Sequence, residues 1–242
     1  MNLVTNQSQL DQIPYNEQSV ILVDKPLKWT SFDVVNKMRY ALKHHYNIKK
    51  IKVGHAGTLD PLATGLLLIC TGKATKQAET LQGMPKQYTG VIKLGATTIS
   101  FDAEQPEENQ KSVDHLTEKE VLEALNSFKG EIDQYPPHFS ALKVDGQALY
   151  KWARKGVKKE IKSRKVNFYN IELIRLEFPF IYFCVDCSKG TYIRSFANDV
   201  GEKLNVGGYL HELRRTSIGD YKIEDAVSLE HWLDNFKKEE VE

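Results

Sequence analysis

Apolar positions along the chain fall into short continuous runs and into helically spaced sets. The run from Ser19 to Val23 (SVILV) and the run at 65–71 are each typical of a buried strand. Thr30 or Ser31 can act as the N-cap of a helix, because a hydroxyl accepts a hydrogen bond from the first free backbone N–H groups. The apolar residues that then recur at helical spacing are Val34, Val35, Met38, Ala41 and Leu42.

A second helix is predicted from Thr117, because Glu120 three residues later completes a capping box before an apolar, helically spaced set. The other segments predict strands at 51–53, 87–95, 165–187 (two strands broken near Pro179) and 210–218, and helices at 73–81, 192–204 and 228–236. Strands and helices mix without regular βα alternation, which favours an α+β fold over a doubly wound one. We expect residues 1–18 to form a frayed N-terminal arm, 19–236 to form one domain, and 237–242 to form a solvated tail.

Composition agrees with an ordinary globular domain, since apolar residues make up 41% and charged residues 27% of 242 positions. No stretch reaches the roughly 18 apolar residues of a membrane span, and the polar N-terminus has no signal pattern. Three cysteines, an odd number, favour reduced thiols and a cytoplasmic location. Cys184 and Cys187 form a C-x-x-C pattern within an apolar run. Core packing is the favoured interpretation there, over a metal or redox site.

Charge is balanced overall but uneven along the chain. The net charge is +1, yet residues 151–165 contain eight Lys and Arg residues and one acid. Residues 102–108 contain four acids and no base. A basic block in a near-neutral chain can form a local positive surface, although most such runs are solvated faces.

The segment at 54–65 (GHAGTLDPLATG) is a glycine-rich loop with one carboxylate, Asp60. Glycines let the backbone approach a ligand closely, and Pro61 restricts Asp60 to extended backbone. Taken alone, these residues favour an Asp-Pro turn, and His55 alone favours a structural histidine.

The longer string GHAGTLDPLATGLL resembles the signature of the tRNA pseudouridine-55 synthases, the TruB-type family. Further segments resemble the family in the same order: VDKP (23–26), Thr30-Ser31 with Asp33-Val34-Val35, Lys86-Gln87-Tyr88, PPHFSALK (136–143), GTYIRS (190–195) and LRRT (213–216). The resemblance covers about residues 20–220. It implies the pseudouridine synthase fold: α+β, with a mixed, mostly antiparallel sheet flanked by helices and an RNA-gripping insertion at about 135–165.

Three places depart from the family pattern. Lys28 stands where the family usually has glycine, and Asp102-Ala103-Glu104-Gln105 stands where an acidic motif usually ends in glycine. Many bacterial members also have a C-terminal PUA-type RNA-binding domain. We expect none here, because only about 25 residues follow Ile218, too few for a domain.

The resemblance implies isomerisation of uridine to pseudouridine at position 55 of the tRNA T-loop. The reaction needs no cofactor or metal, because it cuts the N1–C1′ bond and joins C5 to C1′ without net redox change. The resemblance gives Asp60 the role of the carboxylate that acts on the flipped-out uridine, by attack at C1′, attack at C6 or removal of a sugar proton. Arg194 is expected to pair with Asp60 and fix its direction, and Tyr88 to stack on the target base.

Residues that bind the RNA follow from the same resemblance. His55 is expected to fill the gap left by the flipped base, Tyr192 and Leu213 to line the pocket, and Lys25 to support the loop or the RNA backbone. The basic segment adds Lys158, Lys159 and Lys162. The expected partner is the T-arm of tRNA, bound by a monomer. Two alternatives are a pseudouridine synthase for another RNA, such as a guide-directed one, and a non-catalytic RNA-folding module, which would not need Asp60, Tyr88 and Arg194 together.

Overall fold

The computed structural model describes residues 1–157 and 159–236. Its strands are β1 (Asn2–Val4), β2 (Gln18–Lys25), β3 (Val53–His55), β4 (Ala63–Gly72), β5 (Lys86–Leu94), β6 (Gly130–Gln134), β7 (Lys143–Val144), β8 (Gln147–Ala148), β9 (Arg164–Glu177), β10 (Phe180–Cys187), β11 (Gly208–Ile218), β12 (Tyr221–Lys222) and β13 (Val227–Ser228). Its helices are α1 (Ser31–His45), α2 (Ala78–Gly83), α3 (Glu118–Asn126), α4 (Leu149–Ala153), α5 (Ile193–Lys203) and α6 (Leu229–Asp234). Within these described ranges, no helix is long and apolar enough to cross a membrane.

The chain folds into two compact units. Unit 1 contains residues 1–86 and the described residues from Arg214 onward, and unit 2 contains residues 87–213. Strand pairing is mixed and mostly antiparallel, as predicted. In unit 1, β1 and β13 lie parallel to β2, whereas β2 and β3 pair antiparallel with β4. The predicted boundaries of a single domain at 19–236 and of an insertion at about 135–165 stay predictions.

The core of unit 1 is built on both faces of β2. Successive residues of a strand point to opposite faces, and both faces of β2 are covered. Ile21 and Val23 pack with the buried side chains of α1 and α6. Val20 and Leu22 pack in a second cluster with buried side chains of β4 and the segment that follows it. A strand buried on both faces reads as a continuous apolar run, which is why SVILV was recognisable in the sequence.

Helices α1 and α3 each begin with a capping box. The sequence predicted the box at Thr117, whereas for α1 it predicted only an N-cap at Thr30 or Ser31. In α1, the Thr30 hydroxyl accepts a hydrogen bond from the Asp33 N–H at 3.0 Å, and the Asp33 carboxylate accepts one from the Thr30 N–H at 2.9 Å. The same reciprocal pair joins Thr117 and Glu120 at the start of α3. Each box satisfies backbone N–H groups that a helix start leaves without an internal partner.

The N-terminal residues are packed rather than frayed, so that prediction was wrong. Strand β1 pairs with β2, and Val4, Leu10 and Tyr15 are buried. The Tyr15 hydroxyl accepts a hydrogen bond from Trp232 Nε1 at 3.2 Å, and the Tyr15 N–H donates to the Tyr46 hydroxyl. Three widely spaced apolar residues in a polar segment show no helical or strand period, and their burial depends on partners far along the chain.

Unit 2 has the strand order β5–β10–β9–β6. Strand β9 pairs antiparallel with both β10 and β6, and the predicted break between the long strands lies at Pro179, as expected. Helix α5 packs Phe196 against Phe168 and Phe183, with ring centroids 4.9 and 5.7 Å apart. Within the predicted insertion, β7 and β8 form a short hairpin that leads into α4.

The C-x-x-C pattern lies on β10, where burial alternates along the strand. Cys184 is half-buried and Cys187 is buried, and neither forms a disulfide within the described residues. Residues three apart on a strand face opposite sides, so these sulfurs do not converge on one ligand. The described part of the chain holds no cluster of three or more His, Cys, Asp or Glu residues that could bind a metal ion.

Removing the Tyr15 side chain tests whether the N-terminal residues belong to the core. We expect Tyr15→Ala to lower the free energy of unfolding by about 3–5 kcal/mol, the usual loss for a buried aromatic side chain. Gln12→Ala, at an exposed position three residues earlier, should change it by less than about 0.5 kcal/mol. Chemical denaturation of both variants gives the comparison. A Tyr15→Ala effect as small as that of Gln12→Ala would contradict this packing.

Candidate active site

The loop between β3 and β4, residues 56–62, carries Asp60 and is called the Asp60 loop below. Ser31, the first residue of α1, fixes the peptide groups of Leu59. Its hydroxyl accepts from the Leu59 N–H at 2.8 Å and donates to the Leu59 carbonyl at 3.1 Å. The Asp60 carbonyl accepts from the Ala63 N–H at 3.1 Å, and Asp60 itself is half-buried. Leu59, the residue before Asp60, is therefore held by a side chain from outside the loop.

Arg215 is the second support of the Asp60 loop, and sequence reasoning missed it. Its guanidinium is buried and donates to the carbonyls of Leu66 (2.7 Å), Gly57 (3.1 Å) and Thr58 (3.4 Å). A guanidinium offers five N–H donors in a fixed plane, so one side chain can bind several carbonyls at once. The LRRT motif contained this residue, but its sequence gives no sign of which carbonyls it would reach.

Gly65 shows why a glycine stands at the start of β4. Its φ is +101°, and a Cβ at this position would lie 2.3 Å from the Arg215 carbonyl oxygen and 2.7 Å from the Arg215 nitrogen. No side chain fits at that distance from backbone. Gly65 therefore permits the close approach that brings the Arg215 side chain under the loop.

Lys28 occupies the position where the family usually has glycine, and its backbone is left-handed, with φ of +66°. Its N–H donates to the Pro61 carbonyl at 2.8 Å. Although the sequence departs from the family pattern here, the backbone keeps the left-handed turn conformation, which glycine would adopt without strain. This turn is a third contact that holds the Asp60 loop.

Lys25 is fully buried, at 0% exposure. Its ammonium group donates to the carbonyls of Pro26 (2.9 Å) and Trp29 (2.6 Å). Burial lowers the Lys25 pKa to about 8, and the negative charge of Asp60 partly opposes that shift. Lys25 therefore supports the turn before α1, and its expected role toward the loop or the RNA backbone stays a prediction.

His55 ends β3, next to the Asp60 loop. Its Nδ1 is buried and makes no hydrogen bond within the described residues. Burial lowers the His55 pKa below 6.5, and the positive charge of Arg215 lowers it further. His55 is therefore an uncharged ring at neutral pH, the form best suited to fill an apolar gap between bases.

In unit 2, Arg194 is buried, which excludes a surface arginine. Its guanidinium lies 3.4 Å from the Asp102 carboxylate and donates to the carbonyls of Ser100 (3.1 Å) and Phe139 (2.9 Å). Asp102 in turn accepts from the Ser100 hydroxyl at 2.6 Å and the Glu104 N–H at 3.0 Å. Sequence reasoning noted Asp102 only as a departure from the family motif. The predicted pairing of Arg194 with Asp60 stays a prediction.

The other predicted pocket residues of unit 2 lie on three elements. Tyr88 is buried on β5, and Leu213 is half-buried on β11. Tyr192 is the residue before α5, with the Arg164 guanidinium 4.4 Å above its ring. The Tyr192 backbone also pairs with the Gln134 amide. Their roles toward a base stay predictions.

The described lysines of the basic segment differ in how available their charges are to a ligand, which the sequence did not indicate. Lys158 lies outside the described residues. The Lys159 ammonium pairs with Asp145 at 2.9 Å and lies 4.4 Å from the Trp152 ring centroid, whereas Lys162 is exposed. Lys159 is thus partly neutralised by its own fold, and the RNA-binding role of the segment stays a prediction.

Comparison with known proteins assigns the chain to a family. Residues 43–193 match the model of the TruB family pseudouridylate synthase N-terminal domain, and residues 194–242 match the tRNA pseudouridylate synthase B C-terminal domain. The chain belongs to the TruB family of pseudouridylate synthases. The second match divides the chain at 194, a boundary that the sequence pattern did not predict.

Relatives named tRNA pseudouridine synthase B match nearly the whole chain. The one from Phocaeicola vulgatus is 51% identical over 230 residues, covering 94% of this chain and 98% of the relative. The one from Flavobacterium johnsoniae is 52% identical over 216 residues, covering 89% and 94%. A solved structure described as a Cbf5-Nop10-Gar1 complex has a chain 29% identical, with a TM-score of 0.69, covering 96% of this chain and 58% of that one.

The protonation of His55 can be measured directly. We expect the ring protons of His55, assigned by their loss in His55→Asn, to titrate in NMR spectra with a midpoint below pH 6.5. Because the folded pKa is lower than the unfolded one, the associated stability is complete above pH 6.5 and is lost as pH falls through the folded pKa. A midpoint at or above 6.5 would show that His55 is not held in a desolvated, electropositive site.

Proposed function

We propose that this protein isomerises uridine to pseudouridine in tRNA. Its membership of the TruB family supports the reaction, and the names of full-length relatives support the substrate. The observation that carries the proposal is the Asp60 loop. It presents a half-buried carboxylate on a backbone that Ser31 and Arg215 hold in place. A reacting group accelerates a reaction most when its position is fixed before the substrate arrives.

The proposed target is the T-loop uridine at position 55. This finer assignment rests on the resemblance of the GHAGTLDPLATGLL string to the family that modifies that position. RNA loops are recognised by shape, stacking and phosphate contacts, and a base inside a folded loop has to be flipped out before chemistry. The neutral His55 ring beside the loop fits the role of a group that replaces the flipped base.

The proposed reaction breaks the N1–C1′ bond, rotates the uracil and forms the C5–C1′ bond. The proton leaves C5 and the uracil N1 gains one, so atoms and electrons balance without an oxidant or donor. The Asp60 carboxylate acts at the junction of base and sugar, where comparable carboxylates act in glycosidases. Attack at C1′, attack at C6 and removal of a sugar proton remain the three routes.

Two further side chains are assigned to the same uridine. We propose that Tyr88 stacks on the uracil and handles the C5 proton, while Arg194 stabilises negative charge at the carboxylate. Burial of the Arg194 guanidinium supports the second role, because a desolvated cation acts more strongly than an exposed one. Its ion pair with Asp102 fixes the side chain from within unit 2. Tyr192 and Leu213 complete the proposed pocket wall.

A pseudouridine synthase for a different RNA is the alternative in the same class. The chain in the Cbf5-Nop10-Gar1 complex is 29% identical, and this chain covers 58% of it. The relatives named for tRNA share about half their residues with this chain over nearly their full length. We therefore favour tRNA, modified by a monomer in the cytoplasm, where the three cysteines would remain reduced.

Asp60→Asn is the direct test of the mechanism. The change removes the carboxylate charge at nearly constant shape, so we expect tRNA binding to persist and turnover to disappear. Tritium release from tRNA labelled at uridine C5 measures turnover, and filter binding measures affinity. Wild-type protein in the same assays is the reference. Ordinary turnover by a verified Asp60→Asn preparation would exclude Asp60 as the reacting group.

The basic segment is tested by changing Lys158, Lys159 and Lys162 together to Ala. If they bind phosphates, the variant should bind tRNA more weakly and show a flatter salt dependence, by about 0.7–0.9 in log–log slope for each phosphate no longer neutralised. Apparent KM should rise far more than kcat falls, because the binding energy removed is common to ground and transition states.

A matched control removes three other exposed lysines of unit 2, Lys119, Lys129 and Lys203. It removes the same net charge elsewhere on the surface. Equal affinities and slopes for wild type, test variant and control would show that the 158–162 lysines form only a solvated face. Because Lys159 already pairs with Asp145, we expect Lys162 to contribute more than Lys159 among the single variants.

A further inference from the structure

Gln134 is a buried polar side chain that no step of the proposed mechanism uses. It ends β6 with 1% exposure. Its amide makes a reciprocal pair with the backbone of Tyr192, 58 positions away. Nε2 donates to the Tyr192 carbonyl at 3.0 Å, and Oε1 accepts from the Tyr192 N–H at 2.8 Å. A side chain that satisfies both backbone groups of one residue fixes the two peptide groups on either side of it.

Tyr192 is a residue whose backbone needs such a partner. It is the N-cap of α5, and its own side chain makes no capping hydrogen bond. Its carbonyl already accepts the first helical bond, from Phe196 at 3.1 Å. Without Gln134, the Tyr192 N–H would be left without its acceptor at a helix start, where donors outnumber acceptors.

The residues after Gln134 hold the second and third side chains of α5. The Tyr135 carbonyl accepts from the Ser195 hydroxyl at 2.7 Å, and the Phe139 carbonyl accepts from the Arg194 guanidinium at 2.9 Å. The segment 134–139 therefore binds three of the first four residues at this end of the helix. Its residues 135–139 lie within the predicted RNA-gripping insertion.

We propose that Gln134 is a positioning residue for the reaction, acting through the backbone of Tyr192 on the placement of Tyr192 and Arg194. This inference rests on the proposed function of those two residues. Gln134 touches neither substrate nor reacting atoms. Its removal should therefore lower kcat while the affinity for tRNA stays within about twofold, since an interaction that only orients catalytic groups is expressed in the transition state.

The chemistry of the amide provides a sharp test. Glutamine donates and accepts, and so does a protonated carboxylic acid, but an ionised carboxylate only accepts. In Gln134→Glu, a carboxylate oxygen of the ionised side chain would face the Tyr192 carbonyl oxygen, and no hydrogen bond could form between them. Burial raises the pKa of an introduced carboxyl. Arg164, the register partner of Gln134 on the antiparallel strand β9, favours ionisation, and Asp133, the preceding residue of β6, opposes it.

We expect Gln134→Glu to have near wild-type kcat at the acid end of a pH 5.5–8.5 series. Relative to wild type, kcat should then fall with rising pH, by up to tenfold per unit once the carboxyl ionises. Gln12→Glu, the same change at an exposed position, should follow the wild-type profile. Gln134→Met, which removes both hydrogen bonds at similar volume, should be at least tenfold slower at every pH. All measurements are made below each variant's melting temperature.

Amide hydrogen exchange at Tyr192 provides a readout that does not require turnover. It should be at least tenfold faster in Gln134→Met than in wild type, relative to amides in the middle of α5. A constant kcat ratio for Gln134→Glu, full kcat for Gln134→Met, or unchanged Tyr192 exchange would each overturn the proposal. If wild-type protein released no tritium from tRNA, the proposed function would fail, and the exchange result would still decide whether Gln134 holds Tyr192.

Discussion

The guanidinium of Arg215 and the carbonyls of the Asp60 loop satisfy each other's need for hydrogen bonds. The proposed site depends on these hydrogen bonds, because they hold the loop that carries Asp60. A loop rich in glycine and other small residues has little side-chain surface with which to hold itself. Buried carbonyls need donors, and a buried guanidinium needs acceptors. The hydrogen bonds between the guanidinium and the carbonyls satisfy both groups and fix the backbone at Gly57 and Thr58. Ser31 does the same for Leu59 on the other side.

Buried cations recur in this chain, and each one is compensated in a similar way. Lys25, Arg194 and Arg215 are all nearly inaccessible, and each donates to backbone carbonyls. Arg194 also pairs with Asp102, and Lys25 interacts with the negative charge of Asp60. An isolated buried charge would be strongly destabilising, whereas carbonyl dipoles and a carboxylate such as Asp102 offset desolvation. The same arrangement holds turns and loops rigid, so the groups that stabilise the fold also define the geometry available for chemistry.

Local signals predicted the elements well, and distant partners explain what they missed. The N-cap at Thr30, the capping box at Thr117 and the doubly buried run SVILV depend on neighbours in sequence, so they were visible. The packing of Tyr15 depends on Trp232, and the partner of Arg194 within unit 2 is Asp102, far away in the chain. Motif resemblance proposed Asp60 and its loop as the site, but it could not indicate which side chains hold that loop.

The two carbonyls around Lys25 have a consequence for the electrostatics near Asp60. A protonated lysine has three N–H donors and a neutral amine has two, and Pro26 and Trp29 provide two acceptors. With its pKa near 8, Lys25 loses its charge in mildly alkaline solution but keeps enough donors for both hydrogen bonds. The field at the carboxylate would then change while the turn stays in place, so alkaline pH alters the charge of this region without reshaping it.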